Sequence, residues 1–482
     1  MTLMDNTQWT SNVFLGQWMP SAESRPVIEP ATGEALGTIG LGSINDLERA
    51  VHVARQAQPS WAGAPQQGRA DVLRRAGQLL AQNRDEVADW LIREGGGTPE
   101  KAEFEIDLAI GECHAASALA IHPVGEMLTE TAELSYAVRK PAGIVAVIAP
   151  FNAPLQLAMR SVAPALALGN AVILKPDPRT AVCGGAVLAE LFAAAGLPAG
   201  LLSVIPGGGE IGSELVARPE VDVVSFTGST SAGRAVGQSA ASHFAKAHLE
   251  LGGNSALLVF PGVDLQWAAR LGARGSFFHQ GQICMATGRH LVHQDVVEEY
   301  TAHLVRIAEE LRVGNPRDPG IDLGPIIDAT QRDRIHALVV ASVEEGATLV
   351  TGGHYNELFY RPTVLRDSGA GTSAYANEVF GPVAVVRSFA DTQEAIAIAR
   401  DSEYGLTLGI LTPDVAHGLD VANQIPTGIV HINDQTVRDS PLAPMGGVRA
   451  SGAGSHFGGQ SNLDAFTETR WVTVASPPSL NE

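Results

Sequence analysis

Short apolar runs separated by helical patterns occupy the chain from its second quarter onward. Most of these runs are rich in β-branched residues, as is typical of buried strands. The first series comprises Ile144–Ile148, Ala171–Leu174, Leu201–Ile205, Val221–Phe226 and the weaker Ala247–Leu249. The second comprises Ala256–Phe260, Thr348–Val350, Gly409–Leu411 and Gly428–Ile432, with helical patterns around 295–312 and 329–345 between them. Alternating strands and helices predict parallel, doubly wound sheets, so we expect an α/β fold with two such lobes.

The length of the chain also requires more than one domain. Single hydrophobic cores stop growing at roughly 250–300 residues, and this chain has 482. Apolar residues at three- and four-residue spacing predict helices from Asn45 to about Ala120, ahead of the first strand series. We expect the boundary between the lobes near Gly252-Gly253. No long linker interrupts the chain, so the lobes should pack against each other around a cleft.

Charge and cysteine content exclude several classes of protein. The net charge is −20, from 32 basic and 52 acidic residues, so the chain would repel phosphate backbones and anionic lipid surfaces. We therefore expect neither nucleic acid nor a membrane as partner. The three cysteines are too few and too far apart for a disulfide framework or a Cys-x-x-Cys metal site. Residues 1–20 lack the pattern of a secretion signal. We expect a cytoplasmic protein without a bound metal.

Cys284 is the cysteine with the strongest case for chemistry. It lies in Gly281-Gln282-Ile283-Cys284-Met285, after the aromatic pair Phe277-Phe278. Glycine permits a close backbone approach, so a backbone N–H beside the sulfur could face a reacting oxygen. Taken alone, Cys284 could equally be a buried structural cysteine, because free cysteine is among the most buried residue types. Cys113 and Cys183 lie in helical apolar patterns, and we interpret them as structural.

Two polar residues follow strands of the first series. Glu250 comes directly after Ala247–Leu249, where the carboxyl end of a strand opens onto the ligand crevice of a doubly wound sheet. It could serve as a general base or be a solvated residue at the end of a strand. Asn152, in Pro150–Pro154, could donate its amide to an oxyanion or only shape the turn between two prolines.

Two glycine-rich segments could contact a dinucleotide. Gly207–Gly212 satisfies the G-x-G-x-x-G spacing after a strand, but a single match is weak. Phe226–Gly233 follows a strand and opens a helix, so free N–H groups could face a pyrophosphate, and it is the better candidate. Lys175, after the strand Ala171–Leu174, could reach a ribose hydroxyl or a phosphate or be only solvated.

Taken together, these segments resemble the aldehyde dehydrogenase superfamily over essentially the whole chain. The motifs, in order, are Pro150–Pro154, Leu174–Pro176, Phe226–Gly233, Glu250–Gly253, Gly281–Cys284 and Glu378–Pro382. The resemblance implies an aldehyde dehydrogenase-like α/β fold, with two doubly wound lobes and a small β oligomerisation element. It divides the chain into a dinucleotide-binding domain (1–122 and 142–252), a catalytic domain (253–462) and the oligomerisation element (123–141 and 463–482).

The same resemblance implies roles for the site residues. Cys284 would be the nucleophile, Glu250 the base that activates the deacylating water, and Asn152 with the Cys284 N–H the oxyanion hole. Lys175 and Glu378 would hold the two riboses of the cofactor. The full set of expected cofactor contacts is Lys175, Gly228, Ser229 at the pyrophosphate, Glu378, Phe380, Phe151, Gly208 and Gly252.

Two positions depart from the commonest pattern of the superfamily. NAD-preferring members usually carry a Glu three residues after the lysine, where its carboxylate repels a 2′-phosphate, and here that residue is Pro178. The choice between NAD and NADP is therefore open, and only the resemblance to the closer relatives favours NAD. The Trp that usually precedes the oxyanion Asn is Phe151, which leaves the chemistry intact.

Within the superfamily the chain is most similar to the benzaldehyde and vanillin dehydrogenases. The segments that carry this likeness are Met159–Pro164, His279–Gln282 and Gly428–Gln435. It implies oxidation of an aromatic aldehyde to the acid through a thiohemiacetal and a thioester. The residues expected to line an apolar substrate tunnel are Phe151, Met159, Phe278, Ile283, Met285, Val437 and Phe457. A guanidinium from Arg160 or Arg438 in that tunnel would instead favour a semialdehyde that carries a carboxylate.

Other classes of function remain to be weighed. The fold could be kept as an inactive dinucleotide-binding or structural protein, but none of the three expected catalytic residues is lost. A cofactor-free thioesterase would leave Lys175, Ser229 and Glu378 without a role. Members that transfer the acyl group to coenzyme A usually lack a Glu at the place of Glu250, so its presence favours hydrolysis. We expect a homodimer or homotetramer, and sequence does not decide between them.

Overall fold

The computed structural model describes residues 3–4, 6–122, 125–128, 134–367 and 371–475. Its helices are α1 (Asn6–Trp9), α2 (Ile44–Ala62), α3 (Gln66–Gln82), α4 (Arg84–Gly95), α5 (Pro99–Ala120), α6 (Pro154–Ala167), α7 (Val187–Ala194), α8 (Gly209–Ala217), α9 (Thr230–Ala241), α10 (Leu265–Phe277), α11 (Val297–Glu310), α12 (Ala329–Glu344), α13 (Ser373–Ala376), α14 (Thr392–Arg400), α15 (Val415–Ala422) and α16 (Ser461–Phe466).

The strands are β1 (Asn12–Leu15), β2 (Trp18–Pro20), β3 (Glu23–Ile28), β4 (Ala35–Leu41), β5 (Gly125–Met127), β6 (Leu134–Pro141), β7 (Ile144–Ala149), β8 (Ala171–Pro176), β9 (Leu202–Val204), β10 (Val223–Thr227), β11 (Lys246–Glu250), β12 (Ser255–Val259), β13 (Thr287–His293), β14 (Thr348–Thr351), β15 (Tyr355–Asn356), β16 (Phe359–Tyr360), β17 (Thr363–Arg366), β18 (Val383–Phe389), β19 (Thr407–Leu411), β20 (Ile429–Ile432), β21 (Gly452–Ala453) and β22 (Thr467–Val474). A π-helical turn (Val182–Ala186) precedes α7, and 3-10 turns occur at Phe278–Gly281 and Arg449–Ser451.

The first sheet contains the strands of the first predicted series. Among the described residues its order is β2-β1-β9-β8-β7-β10-β11-β21, with parallel pairing from β9 to β11. Every residue of β7 and β8 is buried, because helices cover both faces of a parallel sheet. The chain moves outward from β7 through β8 to β9 and then returns to place β10 on the other side of β7. Such a reversal creates a crevice at the carboxyl ends of the two strands, where ligands bind in doubly wound folds.

The second sheet contains the strands of the second series. Its order is β14-β17-β18-β13-β12-β19-β20, parallel except for β14 against β17. Two apolar clusters cover its faces, one around Leu258 and Val385 and the other around Leu257 and Val386. Alternate residues of the same strands point into opposite clusters, as the two-residue period of a strand requires. The two-lobed doubly wound fold is therefore present, as predicted.

A third sheet stands apart from the two lobes. It pairs β22 antiparallel with β6, and β6 antiparallel with β5. These strands lie in the two segments that we expect to form the oligomerisation element. The parts of those segments at 123–124, 129–133 and 476–482 lie outside the described residues.

The structure also contains elements that the hydrophobic pattern did not predict. The strands β1 to β4 precede the helical region, and β13, β17 and β18 lie within the second sheet. The pattern of β13 is obscured by Arg289 and His290, which are polar yet buried. Arg289 is satisfied there by the carbonyl oxygens of Asn254 and Ile398, at 3.1 and 3.3 Å. Because these buried polar side chains interrupt the apolar run, the sequence pattern did not predict β13 as a central strand.

Candidate active site

A cleft opens at the carboxyl ends of β7 and β10, the crevice that the sheet topology creates. The lobe of the second sheet lines the other side of the cleft through Gln331, Arg334, Glu378 and Phe380. The residues expected to contact a cofactor that line this cleft are Phe151, Lys175, Gly228, Ser229, Gly252, Glu378 and Phe380. Gly208 is not among them. It is the N-cap residue of α8.

The amino end of α9 faces this cleft through Gly228 and Ser229. Ser229 is the N-cap residue, and its hydroxyl accepts a hydrogen bond from the Ala232 N–H at 3.3 Å. Gly228 donates its own N–H to the carbonyl of Glu250 at 3.0 Å, and a Cβ atom there would lie 2.6 Å from the ring of Phe226. The remaining first-turn N–H groups of the helix have no intrahelical acceptor, so this end favours an anion.

Lys175 and Glu378 provide opposite charges in the same cleft. Lys175 is the fifth residue of β8 and not a residue after the strand, as the sequence had suggested. It is buried and makes no ion pair with a described residue, and burial lowers the pKa of its ammonium group. Glu378 accepts the Gly253 N–H at 3.0 Å, and burial raises the pKa of its carboxyl to about 7. Each of these buried groups can still bind a polar ligand in the cleft.

Arg179 is a residue of the cleft that the sequence did not single out. Its guanidinium lies 4.2 Å from the centroid of the Phe151 ring and donates to Asp177 and, at 2.8 Å, to Asp328. Asp328 also caps α12 by accepting the Gln331 N–H at 2.8 Å. Arg179 thus joins the loop after β8 to the helix that carries Gln331, which itself lines the cleft.

A second cavity lies next to the cleft. Asn152 and Cys284 line both spaces, so the two meet at these residues. The apolar side chains that line the cavity are Phe104, Leu108, Leu157, Phe278, Ile283, Met285, Val437 and Met445. Four of the residues expected in the substrate tunnel are therefore here: Phe278, Ile283, Met285 and Val437.

The other three expected tunnel residues lie elsewhere. Phe151 lines the cleft, where its ring centroid is 5.8 Å from that of Phe380. Met159 is fully buried against α5, with its sulfur 3.6 Å from Cys113 Sγ. Gln156, Leu157 and Arg160 of α6 line the cavity, whereas Met159 of the same helix packs against α5 and does not. Phe457 packs in the core, 4.4 Å from the ring of His248.

Cys284 follows a strained turn that glycine completes. His279 and Gln280 have φ angles of 50° and 56°, in the left-handed region, and Gly281 follows with 64°. A Cβ atom on Gly281 would lie 2.1 Å from the carbonyl oxygen of Gly381. Gln280 supports the turn by donating to the carbonyls of Gly96 and Pro325, at 2.9 and 3.1 Å. Strain of this kind persists only where the surroundings enforce it, and it often occurs at functional sites.

Cys284 is half-buried as a residue, whereas Cys113 and Cys183 are buried. Burial, followed by the carboxylates of Glu378 and Glu250, raises the pKa of the Cys284 thiol to about 12. No described hydrogen bond involves the side-chain amide of Asn152, which borders the same space. The backbone N–H of Cys284 likewise donates to no described backbone acceptor. Both donors are free to bind an oxygen atom beside the sulfur.

Glu250 is the last residue of β11 and is buried. It lines neither the cleft nor the cavity, and its Oε2 has no hydrogen-bond partner among the described residues. Its side chain lies against Gly446, where a Cβ atom would be 2.9 Å from Oε1. Burial raises the pKa of this carboxyl well above its usual range. In this conformation Glu250 is set back from the space that Asn152 and Cys284 share.

The two arginines that could change the substrate class occupy different environments. Arg160 lines the cavity and is paired with Asp439 and, at 3.3 Å, with Glu112. Burial by itself would lower the pKa of Arg160, but these two carboxylates raise it. Arg438 is 68% exposed, pairs with Asp434 at 2.7 Å and does not line the cavity. Neither arginine offers an unpaired charge to a ligand in the cavity.

Comparison with known proteins agrees with this architecture. The profile of the aldehyde dehydrogenase family matches residues 18–472, so the chain belongs to the aldehyde dehydrogenase family. It is similar to a vanillin dehydrogenase from Amycolatopsis sp., with 58% identity over 477 residues that cover 98% of each chain. It is also similar to a benzaldehyde dehydrogenase [NAD(+)] from Pseudomonas putida, with 43% identity, covering 98% of this chain and 97% of the relative.

A solved structure shares the whole fold. Betaine aldehyde dehydrogenase from Staphylococcus aureus in complex with NAD+ superimposes with a TM-score of 0.95 and 30% identity, covering 98% of this chain and 96% of the other. The family and the fold class predicted from the sequence are thereby confirmed. No helix in the described parts of the chain is long and apolar enough to cross a membrane.

Sequence reasoning missed several residues that line the two spaces. Gln156 could have been found from its helical spacing to Arg160, since residues four apart share a face of a helix. Asp439, Arg179, Gln331 and Arg334 had no comparable local signal. They reach the site from loops and from a helix distant in the chain, so only tertiary structure brings them there.

Proposed function

We propose that this protein oxidises an aromatic aldehyde to the carboxylic acid with a nicotinamide dinucleotide as oxidant. The observation that carries the proposal is that Asn152 and Cys284 border both the cleft and the apolar cavity. A flat, apolar substrate in the cavity and a dinucleotide in the cleft would meet at the sulfur. The names of the similar vanillin and benzaldehyde dehydrogenases support an aromatic substrate.

The residues of the cleft fit a dinucleotide. Lys175 and Glu378 would bind the two riboses, and the amino end of α9 at Gly228 and Ser229 would bind the pyrophosphate. Phe151, Phe380 and Gly252 complete the walls. When bound, the nicotinamide supplies the hydride acceptor. We propose NAD as the cofactor, in keeping with the NAD-named relative and with the NAD+ complex of the structural neighbour. We also propose that the protein can bind NADP, because Pro178 has no carboxylate that would repel a 2′-phosphate.

Cys284 and Asn152 perform the first half of the proposed reaction. The Cys284 thiolate attacks the aldehyde carbon, and the oxyanion accepts hydrogen bonds from the Asn152 amide and the Cys284 N–H. Such a contact is typically worth about 3 kcal/mol in the transition state. Loss of hydride from the thiohemiacetal carbon leaves a thioester on Cys284. The apolar cavity wall holds the ring and excludes bulk water from the sulfur.

Glu250 performs the second half. A water molecule that gives one proton to Glu250 attacks the thioester and releases the acid and the Cys284 thiolate. Burial raises the pKa of this carboxyl in the described conformation, which weakens it as a base there. We therefore propose that its side chain rotates away from Gly446 toward Cys284, where water lowers its pKa and allows it to act as a base.

The alternatives have less support. A carboxylate-bearing semialdehyde would need an unpaired cation in the cavity, and Arg160 already has two carboxylate partners. An inactive binding protein would have no use for the free donors around Cys284. A cofactor-free thioesterase would leave the unpaired Lys175 and the α9 end without a ligand.

Further parts of the proposal concern the whole protein. We propose that residues 1–122 and 142–252 bind the dinucleotide, that 253–462 form the catalytic domain, and that the third sheet joins subunits in a homodimer or homotetramer. One short strand crosses the proposed boundary, because β21 pairs with β11 of the first sheet. The three free thiols support a reducing compartment, and we propose the cytoplasm.

The test is formation of the reduced nicotinamide by the purified protein, followed by absorbance. Benzaldehyde and succinic semialdehyde are assayed separately, each with NAD and with NADP. We expect preferential turnover of benzaldehyde that is lost in Cys284→Ser and retained in Cys113→Ala, a buried cysteine away from both spaces. Turnover of the semialdehyde alone, or of neither aldehyde, would refute the proposed substrate class.

A further inference from the structure

One part of the cavity wall is polar although the rest is apolar. Gln156 and Arg160 reach it from one face of α6, and Asp439 reaches it from the loop after β20. All three side chains are buried, with Gln156 only 2% exposed. Ligand pockets usually contain a few such groups, and they fix the orientation of the ligand within an apolar wall.

These groups form one hydrogen-bonded cluster. Asp439 Oδ2 accepts from Arg160 Nη2 and, at 3.2 Å, from Gln156 Nε2. Asp439 Oδ1 accepts the Ser440 N–H at 2.7 Å. Glu112 accepts from Arg160 Nε at 3.3 Å on the far side of the guanidinium. The cluster therefore places the carboxylate of Asp439 beside the cavity and holds it there.

The cluster has spare acceptors and no spare positive charge. A carboxylate offers about four lone-pair positions, and the described contacts of Asp439 use three of them. Gln156 donates through Nε2, and no described group donates to its Oε1. Arg160 carries one charge and faces two carboxyl groups, and the nearby Lys101 ammonium is bound by Glu105. The spare acceptors of this end favour a ligand group that donates a hydrogen bond, and its two carboxyl groups disfavour an anion.

We propose that Asp439 and Gln156 recognise a hydroxyl group on the ring of the aromatic aldehyde, with the carboxylate of Asp439 as the main acceptor. This proposal rests on the proposed function, because the aldehyde carbon must lie at Cys284 while the ring extends into the cavity. The neutral hydroxyl satisfies acceptors that would otherwise stay unpaired when the substrate displaces water. An unsubstituted ring leaves them unpaired, and a ring carboxylate is repelled by Asp439.

The test compares kcat/KM for benzaldehyde, 3-hydroxybenzaldehyde, 4-hydroxybenzaldehyde and 4-carboxybenzaldehyde in the wild type, Asp439→Asn and Gln156→Leu. We expect the wild type to prefer at least one hydroxybenzaldehyde over benzaldehyde by about tenfold or more, the typical effect of a hydrogen bond to a charged group. Asp439→Asn should lower that ratio by about tenfold, and Gln156→Leu should lower it by a smaller factor. A general loss of stability would change the rates but not the ratio.

Asp434→Asn is the matched control, since Asp434 lies in the same loop, is also paired with an arginine and does not line the cavity. Its hydroxyl preference should equal that of the wild type. Turnover of benzaldehyde with the same hydroxyl preference in all four proteins would overturn the assignment of Asp439 and Gln156 and leave the proposed function standing. A wild-type preference for 4-carboxybenzaldehyde would also overturn it. Failure of the wild type to oxidise any of the four aldehydes would refute the proposed function itself.

Discussion

The three cysteines of this chain differ in the surroundings of their sulfur atoms. Cys113 and Cys183 are fully buried, in α5 and in the π-helical turn, whereas Cys284 borders both ligand spaces. Burial and two nearby carboxylates raise the pKa of Cys284 to about 12, so the thiol form predominates at neutral pH in the free protein. Since the thiolate is the nucleophile, the reactivity of Cys284 must increase with pH.

This pKa predicts the pH dependence of alkylation. We expect the rate of Cys284 alkylation by iodoacetamide, in the absence of cofactor, to rise about tenfold for each pH unit between pH 7 and 9. Mass spectrometry of the native protein should locate the label on Cys284 alone, and Cys284→Ser should remain unlabelled. A rate that levels off below pH 8 would show that the thiolate is already formed and would contradict the raised pKa.

At the residue scale, sequence was sufficient where a short motif carries the chemistry. Asn152 and Cys284 meet at the junction of the two spaces, and Lys175, Ser229 and Glu378 line one cleft. It was insufficient for Met159, because apolar residues near a motif can point toward or away from a cavity and only the packing of α6 against α5 decides which. The catalytic roles of Asn152 and Cys284 stay a prediction.

At the scale of elements, buried glutamates from the early helices cap helices of the first lobe. Glu105 of α5 accepts the N–H groups of Leu155 and Gln156, at 2.8 and 3.2 Å, at the start of α6, where no local side chain caps the helix. Glu94 of α4 accepts those of Val182 and Cys183, at 2.9 and 2.7 Å, before α7. Carboxylates at these positions satisfy free N–H groups and oppose the positive end of the helix dipole.

The Glu105 cap predicts a large effect of a single substitution. Glu105→Ala would leave two N–H groups without an acceptor and would leave Lys101 buried without its partner. We expect a loss of about 3–5 kcal/mol in unfolding free energy, measured from the urea midpoint. The turnover should also fall, because α6 begins two residues after Asn152.

Glu103→Ala on the same helix is the control for this substitution. Glu103 is exposed and pairs with Arg84, so its loss should cost less than about 1 kcal/mol. Equal urea midpoints for the two variants would mean that the Glu105 contacts contribute nothing beyond a surface ion pair.

At the scale of the whole molecule, the third sheet leaves apolar side chains uncovered in the single chain. Trp471 is 69% exposed on β22, Met127 is 64% exposed on β5, and Val474 and Leu134 are also exposed. Leu134, Val474 and Met127 share one face of this sheet, and Trp471 lies on the other. Exposed apolar side chains of this kind often mark an interface between proteins. They support the proposal that subunits associate through this sheet.

Charging the sheet tests that proposal. We expect Trp471→Glu to lower the molar mass in solution, measured by size-exclusion chromatography with light scattering, because an interface would have to bury the new carboxylate. Phe244→Glu is the matched control, since Phe244 is 95% exposed and belongs to no strand of this sheet. An unchanged mass for Trp471→Glu, or a monomeric wild type, would exclude this sheet as the interface.

Local patterns in the sequence were enough to determine the family, the alternation of strands and helices, and the order of the motifs along the chain. These depend on hydrophobic period and on residues adjacent in sequence, which act over a few positions. The polarity of the cavity was decided only by tertiary structure. The charge of Arg160 is paired with Glu112 and Asp439, which lie 48 and 279 residues away in the chain. Burial makes such pairing obligatory, because an unpaired charge inside the protein would cost several kcal/mol, and no local pattern records which partner will supply it.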